Sequence, residues 1–223
     1  MSEKPPVATI EYEGRMYDLV GVTGEDIMIR RFRQTGRFYE LDLLEKVAGL
    51  GVRGCYLDIG ANIGNHSIFF ANHCPSEALA CVEAHPDIFG ALERNVCRHV
   101  GKPYKLLNVA VTDSPGFARC SDIDPSNVGG TRVISGRGGI RAVTLGDLLD
   151  EIGNVRLVKM DIEGWELPVI RASLEAIDRV HPVLITEFHI KREYKACLKI
   201  LKKLGYRSSG PYAVTPTFIC NFR

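Results

Sequence analysis

The sequence lacks an excess of charge of either sign: 28 Lys and Arg residues stand against 27 Asp and Glu residues, a formal net charge of +1. A domain that grips the phosphates of a nucleic acid usually carries a clear basic excess, so nucleic acid is disfavoured as a partner. No apolar run approaches the roughly 18 residues that a membrane span needs. No apolar signal region follows the first residues, so we expect a cytoplasmic protein that is not secreted by the usual route.

Paired cysteine motifs are absent as well. The seven cysteines are an odd and scattered set without any Cys-x-x-Cys pair, whereas a disulfide framework or a zinc knuckle needs close, paired spacings. We therefore expect reduced thiols, most of them packed in the core as small hydrophobic residues. These absences leave the class of an intracellular globular protein.

A regular alternation of strands and helices is present after residue 50. Apolar runs predict strands at 55–60, 78–84, 104–111, 156–162 and 182–188, with helical spacing between them, including one helix that spans Leu167 to Ile177. Two further strands fit residues 205–223, joined by a Gly-Pro turn at 210–211. This pattern predicts an α/β fold, a mostly parallel sheet with helices on both faces, which binds ligands beyond the carboxyl ends of its strands.

Two segments depart from that alternation. Residues 7–30 alternate around a Glu13-Gly14 turn and predict a β-hairpin or small meander, and a helix is predicted over 38–50. Residues 112–143 are rich in glycine and look irregular, with short strands at 117–120 and 131–134. We expect this second segment to form a lid over a bound ligand.

The first strand of the alternation ends in a glycine-containing turn that leads into a helix. Such a turn, which here contains Asp58, Gly60, Asn62 and Gly64, suits the pyrophosphate of a dinucleotide or the amino-acid end of S-adenosylmethionine. A dinucleotide fingerprint has glycine where Asn62 stands, and Asp58 would repel phosphates. The ammonium of S-adenosylmethionine would instead be attracted to Asp58, so the residues favour that cofactor.

The next two strand ends add the features of a nucleoside site. Glu83 ends the second strand, where a carboxylate suits the two ribose hydroxyls that NAD and S-adenosylmethionine share. Asn108 and Ala110 end the third strand, and we expect them beside an adenine ring.

Ionisable residues end the fourth and fifth strands. Asp161 and Glu163 follow the fourth strand and His189 follows the fifth, and charged groups next to buried strands are costly unless they are paired or used. These three residues are the predicted catalytic groups, any of which could accept a proton from a hydroxyl. No metal is assigned, although Asp161, Glu187 and His189 leave divalent-ion binding open as a variant.

Seven blocks of sequence together resemble the FkbM-type methyltransferases. They are FYE (38–40), YLDIGANIGNHS (56–67), VEAHPD (82–87), LNVAVTD (107–113), SNVGGTRV (126–133), VKMDIEGWE (158–166) and TEFH (186–189). The resemblance implies a Rossmann-like class I methyltransferase sheet of seven strands with an antiparallel last strand. It further implies S-adenosylmethionine as cofactor and a hydroxyl of a small molecule, sugar, glycolipid or polyketide as acceptor.

On this basis residues 1–50 are expected to form a hairpin-and-helix extension, and residues 51–223 the methyltransferase domain. The expected cofactor contacts are Asp58, Gly60, Asn62, Gly64, Asn65, Glu83, Ala84, Asn108, Ala110 and Asp161. Three alternatives stay open: a methyltransferase acting on nucleic acid or protein, an NAD-dependent oxidoreductase, and a protein that binds the cofactor without catalysis. The oligomeric state is also open, a homodimer included.

Overall fold

The computed structural model describes residues 5–213 and 215–222. In chain order the first elements are β1 (Val7–Tyr12), β2 (Arg15–Val20), α1 (Ile27–Thr35), α2 (Leu41–Gly49), β3 (Gly54–Ile59), α3 (Asn65–His73), β4 (Ser76–Val82), α4 (Pro86–His99), β5 (Tyr104–Leu107), β6 (Ala110–Val111) and β7 (Gly116–Cys120). They are followed by a short 3-10 helix (Val128–Gly130), β8 (Val133–Ser135), β9 (Ile140–Val143), α5 (Leu145–Ile152), β10 (Val155–Met160), α6 (Glu166–Ala172), α7 (Leu174–Val180), β11 (Val183–Glu187), α8 (Lys191–Lys203), β12 (Tyr206–Ser209) and β13 (Thr217–Phe222).

Seven strands form the central sheet, in the order β12-β13-β11-β10-β3-β4-β5. The pairs from β11 to β5 are parallel, whereas β13 runs antiparallel to both β11 and β12. Helices α2, α3 and α4 cover one face, and α5 to α8 cover the other, each with its own apolar core. The predicted α/β sheet with an antiparallel last strand is therefore confirmed.

The N-terminal hairpin packs on the face that carries α4. The buried side chain of Asn95 accepts a hydrogen bond from the amide of Val20 (2.7 Å) and donates to the carbonyls of Val20 and Ile63 (2.8 Å each). One side chain thus links the hairpin to the loop that follows β3.

The prediction of extended chain as far as Arg30 was wrong at its end, because α1 begins at Ile27. Ile29 and Phe32 lie three residues apart and are both buried, which is a helical spacing. The buried side chain of Asp26, just before α1, accepts a hydrogen bond from the amide of Val128 (3.0 Å). This contact ties the start of α1 to a distant loop.

The predicted third strand is also shorter than expected. It ends at Leu107, and Asn108 donates hydrogen bonds from its side chain to the carbonyls of Glu83 (2.8 Å) and Ala84 (2.9 Å). The chain then enters a second sheet as β6, in the order β6-β9-β7-β8. The segment 112–143, expected to be largely irregular, supplies the other three strands of that sheet.

The helix predicted from Leu167 to Ile177 is two helices. They meet at Ser173, a buried residue whose hydroxyl accepts a hydrogen bond from the amide of Gly146 (3.2 Å) at the start of α5. Helix α5 begins with a capping box, since the side chains of Thr144 and Asp147 each accept from the other's backbone amide.

None of the described helices is long and apolar enough to cross a bilayer. All seven cysteines lie in the described part of the chain as free thiols, and five of them are buried.

Candidate active site

A cavity of about 310 Å³ opens beyond the carboxyl ends of β3, β4, β10 and β11. Its polar wall includes Tyr39, Gly60, Asn62, Asn65, His66, Glu83, Asn127, Lys159, Asp161, Glu163, Glu187, His189 and Thr215. The apolar part includes Ala84, Val109, Val111, Val128 and Val133. All three predicted catalytic residues, Asp161, Glu163 and His189, therefore face one space.

The loop after β3 lies against the end of β10 with no room between the two backbones. Gly60 has φ +72°, and a Cβ atom at this position would lie 1.8 Å from the carbonyl oxygen of Asp161. Only glycine fits such a contact. The loop and the predicted catalytic Asp161 are thus held together by main chain.

Asp58 lies below this loop and is not part of the cavity wall. Its side chain is fully buried, accepts a hydrogen bond from Ser67 (2.6 Å) and lies 3.3 Å from the ammonium of Lys159. Lys159 in turn donates to the carbonyl of Gly60 (2.9 Å) and reaches the cavity. Lys159 therefore lies beside Asp58 and on the cavity wall, and contact between Asp58 and a cofactor stays a prediction.

Glu83 is the nine-tenths buried residue that joins two loops. One carboxylate oxygen accepts from the amide of Asn62 (3.1 Å) and the other from the amide of His85 (2.9 Å). Burial, only partly offset by these hydrogen bonds, raises the pKa of Glu83 to about 6. A carboxylate has about four acceptor positions, so two remain for hydroxyl groups of a ligand.

The end of the third strand presents the opposite side chains from those expected. Val109 and Val111 line the cavity, whereas Ala110 packs in the small core of the second sheet and Asn108 bonds to the main chain after β4. The break after Leu107 changes which alternate residues face the cavity. Asn108 and Ala110 thus lie off the cavity wall, and their contact with a ligand stays a prediction. Gly64 likewise lies off the wall, under Leu92.

The segment before α2 is pinned to the start of α3. Asn65 accepts a hydrogen bond from the amide of Tyr39 (3.0 Å) and donates to its carbonyl (3.1 Å). Glu40 has φ +55°, and its carboxylate lies 3.2 Å from the ring of His66. Although burial opposes ionisation, the hydrogen bond from His66 and the charge of Lys159 lower the pKa of Glu40. The second oxygen of Glu40 is buried without a hydrogen-bond partner among the described residues.

Acidic groups concentrate where β10 and β11 end. The ring Nε2 of His189 lies 3.3 Å from the carboxylate of Glu163 and 3.8 Å from that of Glu187, and Asp161 lies 4.0 Å from Lys159. Burial and the charges of Asp161 and Glu40 raise the pKa of Glu187 to about 8. Burial and the charge of Asp161 also raise the pKa of Glu163. These carboxylates repel one another in a partly buried part of the cavity.

Lys159 is the buried cation of this region, only 6% exposed. Burial works against its charge, but Asp58, Asp161 and Glu187 together keep its pKa above the ordinary value. Below it, the buried carboxylate of Glu166 accepts from the amides of Ile162 (2.8 Å) and Gly164 (3.0 Å) and so shapes the loop that carries Asp161 and Glu163.

Several wall residues were not predicted as site residues. Asn127, Val128 and Thr131 come from the block SNVGGTRV, whose resemblance to family sequences was the available signal. Thr215 and Cys120 carried no signal, because each reaches the wall only through the folding of a distant loop or strand.

A search of family models matches residues 58–208 to the methyltransferase FkbM domain. The chain belongs to the FkbM methyltransferase family. Its matched region runs from Asp58 in β3 to Ser208 in β12, and so includes the cavity wall from Gly60 to His189.

A methyltransferase of known substrate class is similar to this chain in sequence. A hexuronic acid methyltransferase, AglP of Haloferax volcanii, is 31% identical over 153 residues, which cover 66% of this chain and 60% of that protein. The chain thus spans less than two thirds of this relative's length.

Two solved structures share the fold. A methyltransferase FkbM from Methylobacillus flagellatus superposes with a TM-score of 0.54 at 16% identity, over 75% of this chain and 43% of the other. A precorrin-6y C5,15-methyltransferase from Geobacter metallireducens gives a TM-score of 0.52 at 17% identity, over 81% and 85%.

Proposed function

We propose that this protein transfers the methyl group of S-adenosylmethionine to a hydroxyl of a sugar, with a sugar acid as the first acceptor class to test. The observation that carries the proposal is the single cavity in which the glycine loop after β3 and Glu83 adjoin Asp161, Glu163 and His189. Membership of a methyltransferase family and the similarity to a hexuronic acid methyltransferase support it. Residues 51–223 would form the catalytic domain, with residues 1–50 as an extension that adds Tyr39 to the cavity.

The wall residues suit the cofactor's groups. The free acceptor positions of Glu83 fit two ribose hydroxyls, and Val109 and Val111 offer an apolar surface to adenine. The side-chain oxygen of Asn62 is buried without a hydrogen-bond partner among the described residues, although it belongs to the wall. A buried polar atom of this kind costs free energy unless a ligand satisfies it.

The excess of carboxylates suits a cation. Asp161, Glu163 and Glu187 face the cavity, with Lys159 as a buried counter-charge. Bound there, S-adenosylmethionine would supply a methyl group on a positively charged sulfur, a neutral leaving group after transfer. The protein's tasks are then to align the acceptor, exclude water and remove a proton.

Glu163 is the base that the geometry favours among the three candidates. Its raised pKa makes it a stronger proton acceptor than an ordinary carboxylate, and His189 at 3.3 Å can orient it. Glu163 would accept the hydroxyl proton as a lone pair of that oxygen forms the bond to the methyl group. S-adenosylmethionine would supply this methyl group, and the electron pair of its methyl–sulfur bond would remain on sulfur. Asp161, next to the loop after β3, would orient the hydroxyl.

The first experiment is thermal unfolding with S-adenosylmethionine, S-adenosylhomocysteine or NAD in excess. A ligand at 100 times its Kd stabilises by about 2.7 kcal/mol, a shift of several degrees for a chain of this size. We expect shifts with both S-adenosyl compounds and none with NAD. A shift with NAD alone would identify an oxidoreductase and contradict the proposal.

The acceptor is tested with a labelled methyl group. Free and glycosidically linked hexuronic acids, neutral sugars and a structured RNA are offered to the same preparation. A methyl ether forms at a hydroxyl and survives alkali, whereas an ester at the carboxylate is hydrolysed. Alkali-stable label in the uronic acid supports the proposal; label only in RNA would move the protein to a different acceptor class.

A further inference from the structure

Three metal-ligating side chains converge on the wall of the cavity. Asp161 follows β10, while Glu187 ends β11 and His189 follows it. Each of the three residues offers one ligand atom, and these atoms all lie within 4.8 Å of one another. Strands β10 and β11 are parallel neighbours, with Met160 opposite Thr186. The sheet itself therefore holds the three donors together.

The donors are poorly satisfied by the protein. One carboxylate oxygen of Asp161 is buried and has no hydrogen-bond partner among the described residues. Glu187 is nine-tenths buried, and the His189 ring at 3.8 Å lies beyond hydrogen-bond distance. A buried carboxylate oxygen without a partner, such as that of Asp161, costs free energy, so the arrangement favours an added cation.

The nearest cation does not fill this need. Lys159 donates to the carbonyl of Gly60 at 2.9 Å and lies 3.3 Å from Asp58, but 4.0 Å from Asp161. Its ammonium is thus directed toward β3. The space between Asp161, Glu187 and His189 belongs to the cavity instead.

We propose that Asp161, Glu187 and His189 bind a hard divalent cation, Mg²⁺ or Mn²⁺, which chelates the acceptor through its reacting hydroxyl and a neighbouring oxygen. Two carboxylates and one imidazole suit such ions, which prefer oxygen ligands and six-fold coordination. Three coordination positions stay free for the two acceptor oxygens and one water. The inference rests on the proposed methyl transfer and specifies its acceptor: a hydroxyl with a second oxygen beside it, as in a vicinal diol or a hydroxy acid.

Binding of the ion also assigns a role to the contact between His189 and Glu163. Nε2 of His189 lies between Glu163 at 3.3 Å and Glu187 at 3.8 Å. When this nitrogen turns to the ion, the carboxylate of Glu163 loses its contact with His189 and becomes available to the acceptor. A bound ion would polarise the acceptor hydroxyl, and the bonds made and broken would be those of the methyl transfer above.

The test is direct binding of Mn²⁺ to the full chain after treatment with EDTA, followed by electron paramagnetic resonance of the free ion. We expect one site per chain. Glu187→Gln and His189→Ala should each weaken binding by at least about tenfold. Glu175→Gln, at an exposed position on α7, is the matched control and should bind as the wild type does. Near-ultraviolet circular dichroism and the thermal shift with S-adenosylhomocysteine verify that each variant is folded.

The outcomes separate this inference from the proposed function. Absence of Mn²⁺ binding, or equal affinity in wild type, Glu187→Gln and His189→Ala, would overturn the metal site. Unchanged methylation of a uronic acid in excess EDTA would do the same while leaving the proposed function intact. Binding of Mn²⁺ that depends on Glu187, without methylation of any hydroxyl acceptor, would instead leave the metal site standing and refute the proposed acceptor.

Discussion

The carboxyl groups at the two ends of the cavity have different partners. At the end formed by the loops after β3 and β4, both oxygens of Glu83 accept hydrogen bonds from main-chain amides at 2.9 and 3.1 Å. At the end formed by β10 and β11, Asp161 and Glu187 have no ionic contact with a cation closer than 3.8 Å among the described residues. The first end is held in place by the backbone, whereas the carboxyl groups of the second end lack a close cationic partner among the described residues.

This difference suits the two binding tasks of a group transfer, one for the cofactor and one for the acceptor. A cofactor that is the same in every cycle is best bound by rigid groups, because little conformational entropy is then lost on binding. An acceptor site needs groups that gain their interactions only as the reaction proceeds. Four substitutions would break or sharpen the comparison.

The largest effect is expected from Asp161→Asn at the acceptor end. We expect kcat to fall by about 10²–10⁴-fold, the usual range for loss of a group that orients or removes a proton. Affinity for S-adenosylhomocysteine, measured by calorimetry, should change much less. Asp42→Asn, at an exposed position of α2, serves as control. Full activity in Asp161→Asn would show that this end is not the reactive one.

At the cofactor end, Gly60→Ala should damage the fold itself. The added Cβ would meet the carbonyl oxygen of Asp161 at 1.8 Å, so the free energy of unfolding should fall by about 1–3 kcal/mol or more. Gly49→Ala, whose Cβ would have nothing within 4 Å, should leave stability equal or raise it by up to ~1 kcal/mol. Denaturant unfolding compares the two; equal stabilities would mean that the loop is not closely packed.

Glu83→Gln tests the nucleoside position by pH. The pKa of Glu83 is about 6 in the folded protein, so the ionised form that hydroxyls require is lost as pH falls from 7 to 5. Wild-type affinity for S-adenosylmethionine should decline over that range, whereas the variant should bind at least about tenfold more weakly at pH 7 and without this pH dependence. A pH profile shared by both proteins would remove Glu83 from the site.

The smallest effect is expected from Glu187→Gln on stability. Because the pKa of Glu187 is raised from 4.5 to about 8 on folding, the folded state holds a proton that the unfolded state releases. The free energy of unfolding should therefore fall as pH rises from about 5 to 8. In EDTA the variant should lose part of this slope and have a higher Tm than wild type at pH 8. A lower Tm for the variant at both ends of the range would show that the carboxylate is already well paired.

Local pattern was sufficient for most of the fold. Apolar runs and helical spacings depend on neighbouring residues, and they located the five parallel strands and the turn at Glu13 and Gly14. The position of ionisable residues at strand ends follows from the same pattern. Because the carboxyl ends of parallel strands share one edge, the sequence alone predicts that Asp161, Glu163 and His189 lie close together.

Long-range contacts decided the remainder. Asp26, just before α1, accepts a hydrogen bond from the amide of Val128, a residue 102 positions away. Asn108 leaves the sheet to bond to the chain after β4, and this break puts Val109 rather than Asn108 on the wall. Periodicity in the sequence does not predict whether a polar side chain bonds to a local or to a distant backbone group. That choice depends on which groups the folded chain brings near.

The site at the two ends of the cavity shows the same division between local sequence pattern and tertiary structure. The residue types of the site follow from the sequence, because the glycine-containing loop at Gly60 and the run of carboxylates after β10 are local features. Only the tertiary structure decides that Lys159 lies beside Asp58 and that Asp161, Glu187 and His189 lie within 4.8 Å of one another. Distances between charges depend on the packing of three strands, and burial then sets how strongly those charges interact.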